Sequence, residues 1–369
     1  MGKKSKKNTS SVFLGVIIGL LALSIFLLVF WYMRRTEYHI IQSNGDEKDS
    51  DETVNPALIQ PVSRAEVASE PQDKSALGGY NVLIADRGNN RLIEVTPDKK
   101  IVWEYHLVLP RAGLGADDAF FTDNDKTIIV NLEEYHVIQQ IDYATKKVIW
   151  QYGVAGVPGA KAGFLNKPDD AYKLPNGDVI TADIRNCRVI EISPDKNIVH
   201  QYGSPDHCSN APGFLNKPNG DTPLPNGHIL ISNIIGSMIL ELDERWNPVF
   251  SMRMPVRYAS DPQLTKAGNI LISDYSDPGK IIEVSREGKI IWQYHYTKGE
   301  QKLNQPSLAI ELPNGNILAN DDFNHRVIVI DKKANNIIWQ YGVTGKPGNA
   351  YGQLFVPDGV DIRKPLPTS

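Results

Sequence analysis

The feature that most constrains this chain is a motif that returns. "LPNG" stands at residues 174–177, 224–227 and 312–315, and each copy runs into a β-type segment: "DVITAD", "HILISN" and "NILAND". Further segments follow in fixed order, "RVIEIS", "MILELD" and "RVIVID", then "NIVHQYG" and "NIIWQYG" in two of the three. Weaker copies begin at Asn81, Lys126 and Asn269, which brings the units to six. Their terminal aromatic position falls at Trp103, Trp150, His200, Phe250, Trp292 and Trp339, 42 to 50 residues apart. A unit of that length holds four short antiparallel strands, the content of one propeller blade, and no such unit buries its own apolar faces alone. In the turn, Pro presets φ, while Asn and Gly tolerate the positive φ of a tight hairpin. The pattern predicts an all-β fold, a six-bladed β-propeller.

The first unit begins at its second strand, with nothing like "KPDDAYKLPNG" ahead of it. The missing piece stands at the far end as "VPDGVDIRKPLP", residues 356–367. The C-terminal segment is therefore expected to supply the innermost strand of blade one, closing the ring and removing the exposed edges of an open sheet.

Ahead of the repeats lies "VFLGVIIGLLALSIFLLVFWY", residues 12–32, 21 positions without a charge. At 1.5 Å per residue it spans roughly 30 Å, a hydrocarbon core. Trp31 and Tyr32 suit the membrane interface. Four lysines precede the span and Arg34 and Arg35 follow it, which favours a cytoplasmic N-terminus and an extracytoplasmic body. A cleaved signal peptide is the alternative, but its apolar region is shorter and ends in small residues, and no such site follows. The expected organisation is a basic cytoplasmic tail (1–11), a single-pass signal anchor in the cell membrane (12–32), an acidic flexible tether (33–77) and the propeller (78–369). The tether centres on "NGDEKDSDET", too polar to offset its ordering entropy by burial.

The formal charge of −4 conceals an uneven distribution. Residues 1–36 carry six basic residues and no acid, leaving 33 basic and 43 acidic residues beyond. A body that acidic has no electrostatic reason to hold a phosphate backbone, so nucleic acid is not an expected partner.

Three units share an Asp, an Asn and an Arg at the same offsets: Asp86, Asn89, Arg91; Asp183, Asn186, Arg188; and Asp321, Asn324, Arg326. In this the chain resembles the NHL-repeat propellers, which carry such a set at the turn between a blade's second and third strands. "GKIIWQYH" and "NIIWQYG" resemble the ends of quinoprotein-like and bacterial arylsulfotransferase-like propellers. "PNGDTPLPNG", "SDPQL", "ISDYSDPG" and "NDDFNHRV" are most similar to membrane-anchored bacterial propellers. The resemblance implies the fold and leaves function open, because propellers host many activities. Read physically, Asp and Asn accept backbone N–H groups across a turn and Arg pairs with the acid in a fork. Recurrence in three blades argues for a structural role.

The two cysteines, Cys187 and Cys208, lie in connections that an up-and-down blade places on one face. Outside the cell an even pair so placed reads as a disulfide. A thiolate activated by Arg185, Arg188 or His207 is the alternative.

Candidate binding residues stand where each innermost strand starts. Aligned, the units read Asp117-Asp118, Asp169-Asp170, Asn219-Gly220-Asp221, Ser260-Asp261, Ser307-Leu308 and Asp358-Gly359. Innermost strands line the channel, so Asp117, Asp118, Asp169, Asp170, Asn219, Asp221, Asp261, Ser307 and Asp358 are expected to converge near one mouth as a ligand-binding set. The second strands are aligned to end on the same face, at Asp86, Asn131, Asp183, Asn233, Asp274 and Asp321. Hard oxygen ligands suit Ca²⁺, with Asp118, Asp170 and Asp261 as its expected holders. Some related lactonase-type propellers hold calcium centrally. The competing reading makes these groups turn caps that point away from the axis.

An enzyme needs acid–base groups of its own. Of eight histidines only His136, His207 and His325 are expected near the mouth, and none stands at an innermost-strand position. No G-x-S-x-G elbow or Cys-x-x-Cys spacing occurs. The expectation is a binding module for a protein or small-molecule ligand, with a hydrolase, lyase or arylsulfotransferase-like enzyme at the same mouth as the alternative.

Overall fold

The computed structural model describes residues 61–111 and 113–365. The basic tail, the signal anchor at 12–32 and most of the tether lie outside the described residues. No helix among the described residues is long and apolar enough to cross a membrane.

Six four-stranded antiparallel sheets form the blades of a closed β-propeller. Blade one contains Asn81–Asp86, Arg91–Val95 and Ile101–His106, and its innermost strand is Pro357–Arg363 from the C-terminal end. The other innermost strands are Ala119–Thr122, Pro168–Lys173, Pro218–Pro223, Ala259–Leu264 and Ala309–Glu311. They pack against one another in ring order. Second strands, such as Asn81–Asp86, Val179–Asp183 and Ile317–Asp321, are buried at every position because neighbouring blades cover both of their faces. Outermost strands keep an exposed face, as at Val148–Tyr152. Apolar residues of adjacent blades fill the seams, for example Leu83, Leu92, Ile128 and Val130 between blades one and two.

The "LPNG" turns work differently from the sequence expectation in one respect. Gly177, Gly227 and Gly315 alone take positive φ, at 94°, 81° and 89°. Each donates its N–H to the Leu carbonyl three residues back, at 2.9 Å. The Asn stays at negative φ and uses its side chain, which accepts the N–H of the residue after Gly at 3.0–3.1 Å. The result is a Pro-led turn ended by a left-handed Gly.

The outer tryptophans join blade to blade. The indole N–H of Trp103 donates to the Tyr143 carbonyl, that of Trp150 to Pro194 and that of Trp339 to Pro97, each on the next blade. In blade three His200 replaces the Trp and stacks on Trp246 of blade four instead, 5.4 Å between centroids.

A buried ion pair backs the closing strand. Arg363, on the closing strand, meets Glu94 with Nε at 3.0 Å and Nη2 at 2.6 Å. Its guanidinium lies 4.0 Å from the Tyr143 ring centroid and 4.8 Å from that of Phe121, both on blade two. Asn81 and the Tyr143 hydroxyl also donate to Glu94.

Residues 63–77, part of the expected tether span, are folded onto the propeller. Ser63 caps the helix Arg64–Ser69 in a capping box with Glu66. The chain then runs along the outer edge of blade six, where Asp73 donates to Ile338 and Gln340 donates to Pro71. Leu77 is buried in the core.

Cys187 and Cys208 form a disulfide with Cα atoms 5.3 Å apart. Cys187 has φ 48° and closes the short 3₁₀ turn Ile184–Asn186. Asn90, His136 and His325 hold the same left-handed corner in other blades. The bond closes a loop of 21 residues, worth on the order of 3 kcal/mol in the chain-entropy view. Cys187→Ser with Cys208→Ser is expected to lose about that much in urea unfolding; an unchanged midpoint would show that the bond adds nothing.

Candidate functional site

The polar groups expected at the mouth separate into two sets with different tasks. The first set caps. One oxygen of Asp86, Asp183 and Asp321 accepts the N–H of Phe355, Asn166 and Asn304, from the loops entering the innermost strands, at 2.7–2.8 Å. The other oxygen accepts from the Asn and from the Arg Nε of the same unit, again at 2.7–2.8 Å. Asn89, Asn186 and Asn324 also donate to loop carbonyls at Gly348, Gly159 and Lys302. Asn233 and Asp274 accept loop N–H groups in the same way. The Asp–Asn–Arg set therefore pins three of the inter-blade loops to their corners.

Asn131 stands one residue short of the strand end expected for it. Blade two ends its second strand at Leu132, so Asn131 turns toward the channel instead. Its Oδ1 accepts the Asp118 N–H at 3.1 Å, and its Nδ2 donates to the Pro168 carbonyl. Asn320 does the same in blade six, accepting the Leu308 N–H at 2.9 Å.

The second set lines the channel. Asp117, Asp169, Asn219, Ser260, Ser307 and Asp358 are all buried. They are linked sideways: Ser260 donates to Asn219 at 2.9 Å and Ser307 to Asp358 at 2.7 Å. Arg87 Nη1 lies 2.5 Å from Asp117 and 2.6 Å from Asp358, while Nη2 lies 2.5 Å from Glu133. Burial pushes the Asp358 carboxyl up, but Arg87 together with hydrogen bonds from Asp117 and Ser307 outweighs it, and the group ends below the usual range. Asp117 shares that guanidinium and ends well above the range, through burial and the Asp358 charge. Two acids around one cation titrate as a pair.

Asp118, Asp170, Asp221 and Asp261 form the other pole, at no more than 2% exposure each. Carboxylate oxygens of Asp118, Asp170 and Asp261 lie within 4.8 Å of one another, as do those of Asp117, Asp118 and Asp169. Both oxygens of Asp170, and one each of Asp118, Asp221 and Asp261, have no hydrogen-bond partner. The second Asp221 oxygen accepts the Ala182 N–H at 2.9 Å. Burial first, and neighbouring carboxylates second, push Asp118, Asp170 and Asp261 well above the usual range. A buried, unpaired anion is expensive, and four together more so. Capping does not account for them.

Local backbone aims these groups. Asp170 and Asp261 take φ of 45° and 35°, and Gly220 takes 89°, each where the innermost strand bulges against its neighbour. Gly359 has no room for a Cβ, which would stand 2.6 Å from Asp118 Cα and Oδ1. Glycine there lets blades one and two approach closely.

The histidines are committed elsewhere. His136 Nδ1 accepts the Lys167 N–H at 3.1 Å and His325 Nδ1 accepts the Val356 N–H at 3.2 Å. His207 is exposed and meets Phe214 edge-on. Burial lowers the His325 pKa to about 4. A folded pKa below the unfolded value of about 6.5 means stability is complete above pH 6.5 and is lost as pH falls toward 4. His325→Asn, which places the blade-one residue in this corner, is expected to flatten the melting curve between those pH values by about 2–3 kcal/mol. Parallel wild-type and variant profiles would contradict it.

Sequence reasoning missed Arg87, Glu133, Tyr275 and Asp322. Each directly follows a second strand, and the same position is Ile184 and Ile234 in blades three and four. The available signal was polarity that varies at one fixed offset within an otherwise regular repeat.

No family model matches the chain, and no curated protein does. Solved structures do. A protein of unknown function from Bacteroides caccae is 16% identical with a TM-score of 0.54, the match covering 77% of this chain and 98% of that one. The chain matched in a nidogen/laminin complex is 10% identical with a TM-score of 0.55, over 77% and 98% of the two chains. Both are propellers. This chain is a β-propeller too. At such identities the likeness is one of fold.

Proposed function

We propose that the chain is a single-pass membrane protein whose NHL-like propeller is displayed outside the cell and binds a protein or small-molecule ligand at its acidic mouth, with Ca²⁺ as part of the site. The observation that carries the reading is the group of buried, unpartnered carboxylate oxygens on Asp118, Asp170, Asp221 and Asp261. Oxygen donors alone, anionic and water-poor, suit a hard divalent cation. Asp118, Asp170 and Asp261 would hold it, and Asp221 extends the set by one carboxylate that sequence reasoning assigned only to ligand. Asn219, Ser307 and Asp169, on the same ring of innermost strands, supply polar contacts for the ligand itself. The anchor at 12–32 and the disulfide favour an oxidising, extracytoplasmic setting.

An enzyme at the same mouth, hydrolase, lyase or arylsulfotransferase-like, would have to use the aspartates, whose raised pKa values are its one supporting observation. The histidines offer no such group at the channel. The deciding experiment is the calcium content of the full chain in detergent after exhaustive dialysis against calcium buffer. About one ion per chain supports the site; none removes it and leaves the mouth as an ion-free binding surface.

A further inference from the structure

Resting on the cation site just proposed, we propose that Arg87 is a built-in cation that keeps a second metal position closed, so that the mouth takes one divalent ion where its carboxylates alone would take two. The carboxylates form two adjacent triads that share Asp118: Asp117–Asp118–Asp169 and Asp118–Asp170–Asp261. Both are buried and both are built only from oxygen donors. They differ in what already sits beside them.

Arg87 fills the flank of the first triad. Its guanidinium touches Asp117 at 2.5 Å, Asp358 at 2.6 Å and Glu133 at 2.5 Å, with only 12% of the side chain exposed. Among the described residues no Lys, Arg or His forms an ion pair with Asp118, Asp170, Asp221 or Asp261. Arg87 reaches the shared Asp118 through space, but direct ion pairing is confined to the first triad, and no cation acts on Asp170 or Asp261. Asp117 Oδ1 and Asp118 Oδ1 also lack a hydrogen bond, but the Asp117 oxygen lies against Arg87 at 2.5 Å, whereas those of Asp170 and Asp261 face no cation.

A fixed guanidinium opposes a second divalent ion in two ways. It occupies an oxygen of Asp117 that the ion would need. It also repels the ion: two unit charges about 4 Å apart in a half-buried setting interact by an amount equivalent to roughly a thousandfold in affinity. Its position has no counterpart elsewhere in the ring. The same offset after the second strand carries Glu133, Ile184, Ile234, Tyr275 and Asp322 in the other blades, none of them basic. One residue in six therefore sets the ion count.

The test is calcium stoichiometry by equilibrium dialysis and elemental analysis on the full chain in detergent. Wild type is expected to bind one ion, Arg87→Gln two, and Arg87→Lys one. Arg87→Gln leaves several buried acids unpaired and is at risk of misfolding. Arg87→Gln with Asp358→Asn lightens that load, keeps both triads intact and is also expected to bind two. One ion in the folded double variant would overturn the proposal while leaving the single-ion site standing. No ion in wild type would instead remove the reading on which it rests.

Discussion

Calcium is expected to raise the melting temperature of this protein, and Asp170→Asn to abolish that response. At a calcium concentration of about a hundred times Kd the linkage amounts to about 2.7 kcal/mol, or some 4–5 °C for a domain this large. Asp170 is the best single probe because both of its oxygens lack partners and it is fully buried. Its φ of 45° is tolerated by Asn as well as by Asp, so the backbone is not strained by the exchange. The substitution should act with opposite sign in the two states. Without ion it relieves repulsion between Asp170 and its neighbours Asp169 and Asp221, so the chelated variant should melt at or above the chelated wild type. With ion it removes a ligand, so the calcium-loaded variant should melt below the loaded wild type. A wild-type curve that chelation does not move would count against calcium, and a variant that still responds would take Asp170 out of the site.

Arg363→Ala is expected to cost about 3–5 kcal/mol, because it strands Glu94 as a buried charge without a counter-ion. The loss falls on ring closure. Arg363 lies on the one strand that the C-terminal segment contributes to blade one, and its guanidinium also covers Tyr143 and Phe121 of blade two. Denaturant unfolding should show a lower midpoint, with about 5–8 °C less in thermal melts. Arg363→Met with Glu94→Gln should recover part of the loss, since both charges are then absent and the apolar stem is retained. If the single variant melts like wild type, closure rests on strand pairing alone and the latch is dispensable.

Much of this architecture could be read from one sequence. Six units, four strands each and a closing strand from the far end all followed from spacing, because a repeat that cannot bury its own faces must stack into a ring. The disulfide followed from two cysteines on one blade face. The acids of the innermost strands were legible as a set because they recur at one alignment position. What each acid does was not legible. Asp183 and Asp170 are the same residue type in the same blade, yet Asp183 accepts three side-chain and backbone donors and Asp170 accepts none. The difference arises where the innermost strand bulges at Asp170 and turns its carboxylate to the channel, a register shift that leaves no mark in residue spacing.

The N-terminal boundary shows the same limit. Composition made residues 33–77 one polar segment, but Leu77 joins the apolar core, Val67 is buried, and residues 71–73 find an unpaired strand edge. By itself the sequence determined the number of blades, their strand order and the closing strand from the far end, since these depend on period and on alternation along the chain. Only the tertiary structure decided that Arg87 neutralises one group of acids and leaves another without a counter-ion. Arg87 and Asp358 are 271 positions apart, and their 2.6 Å contact exists only because the ring closes.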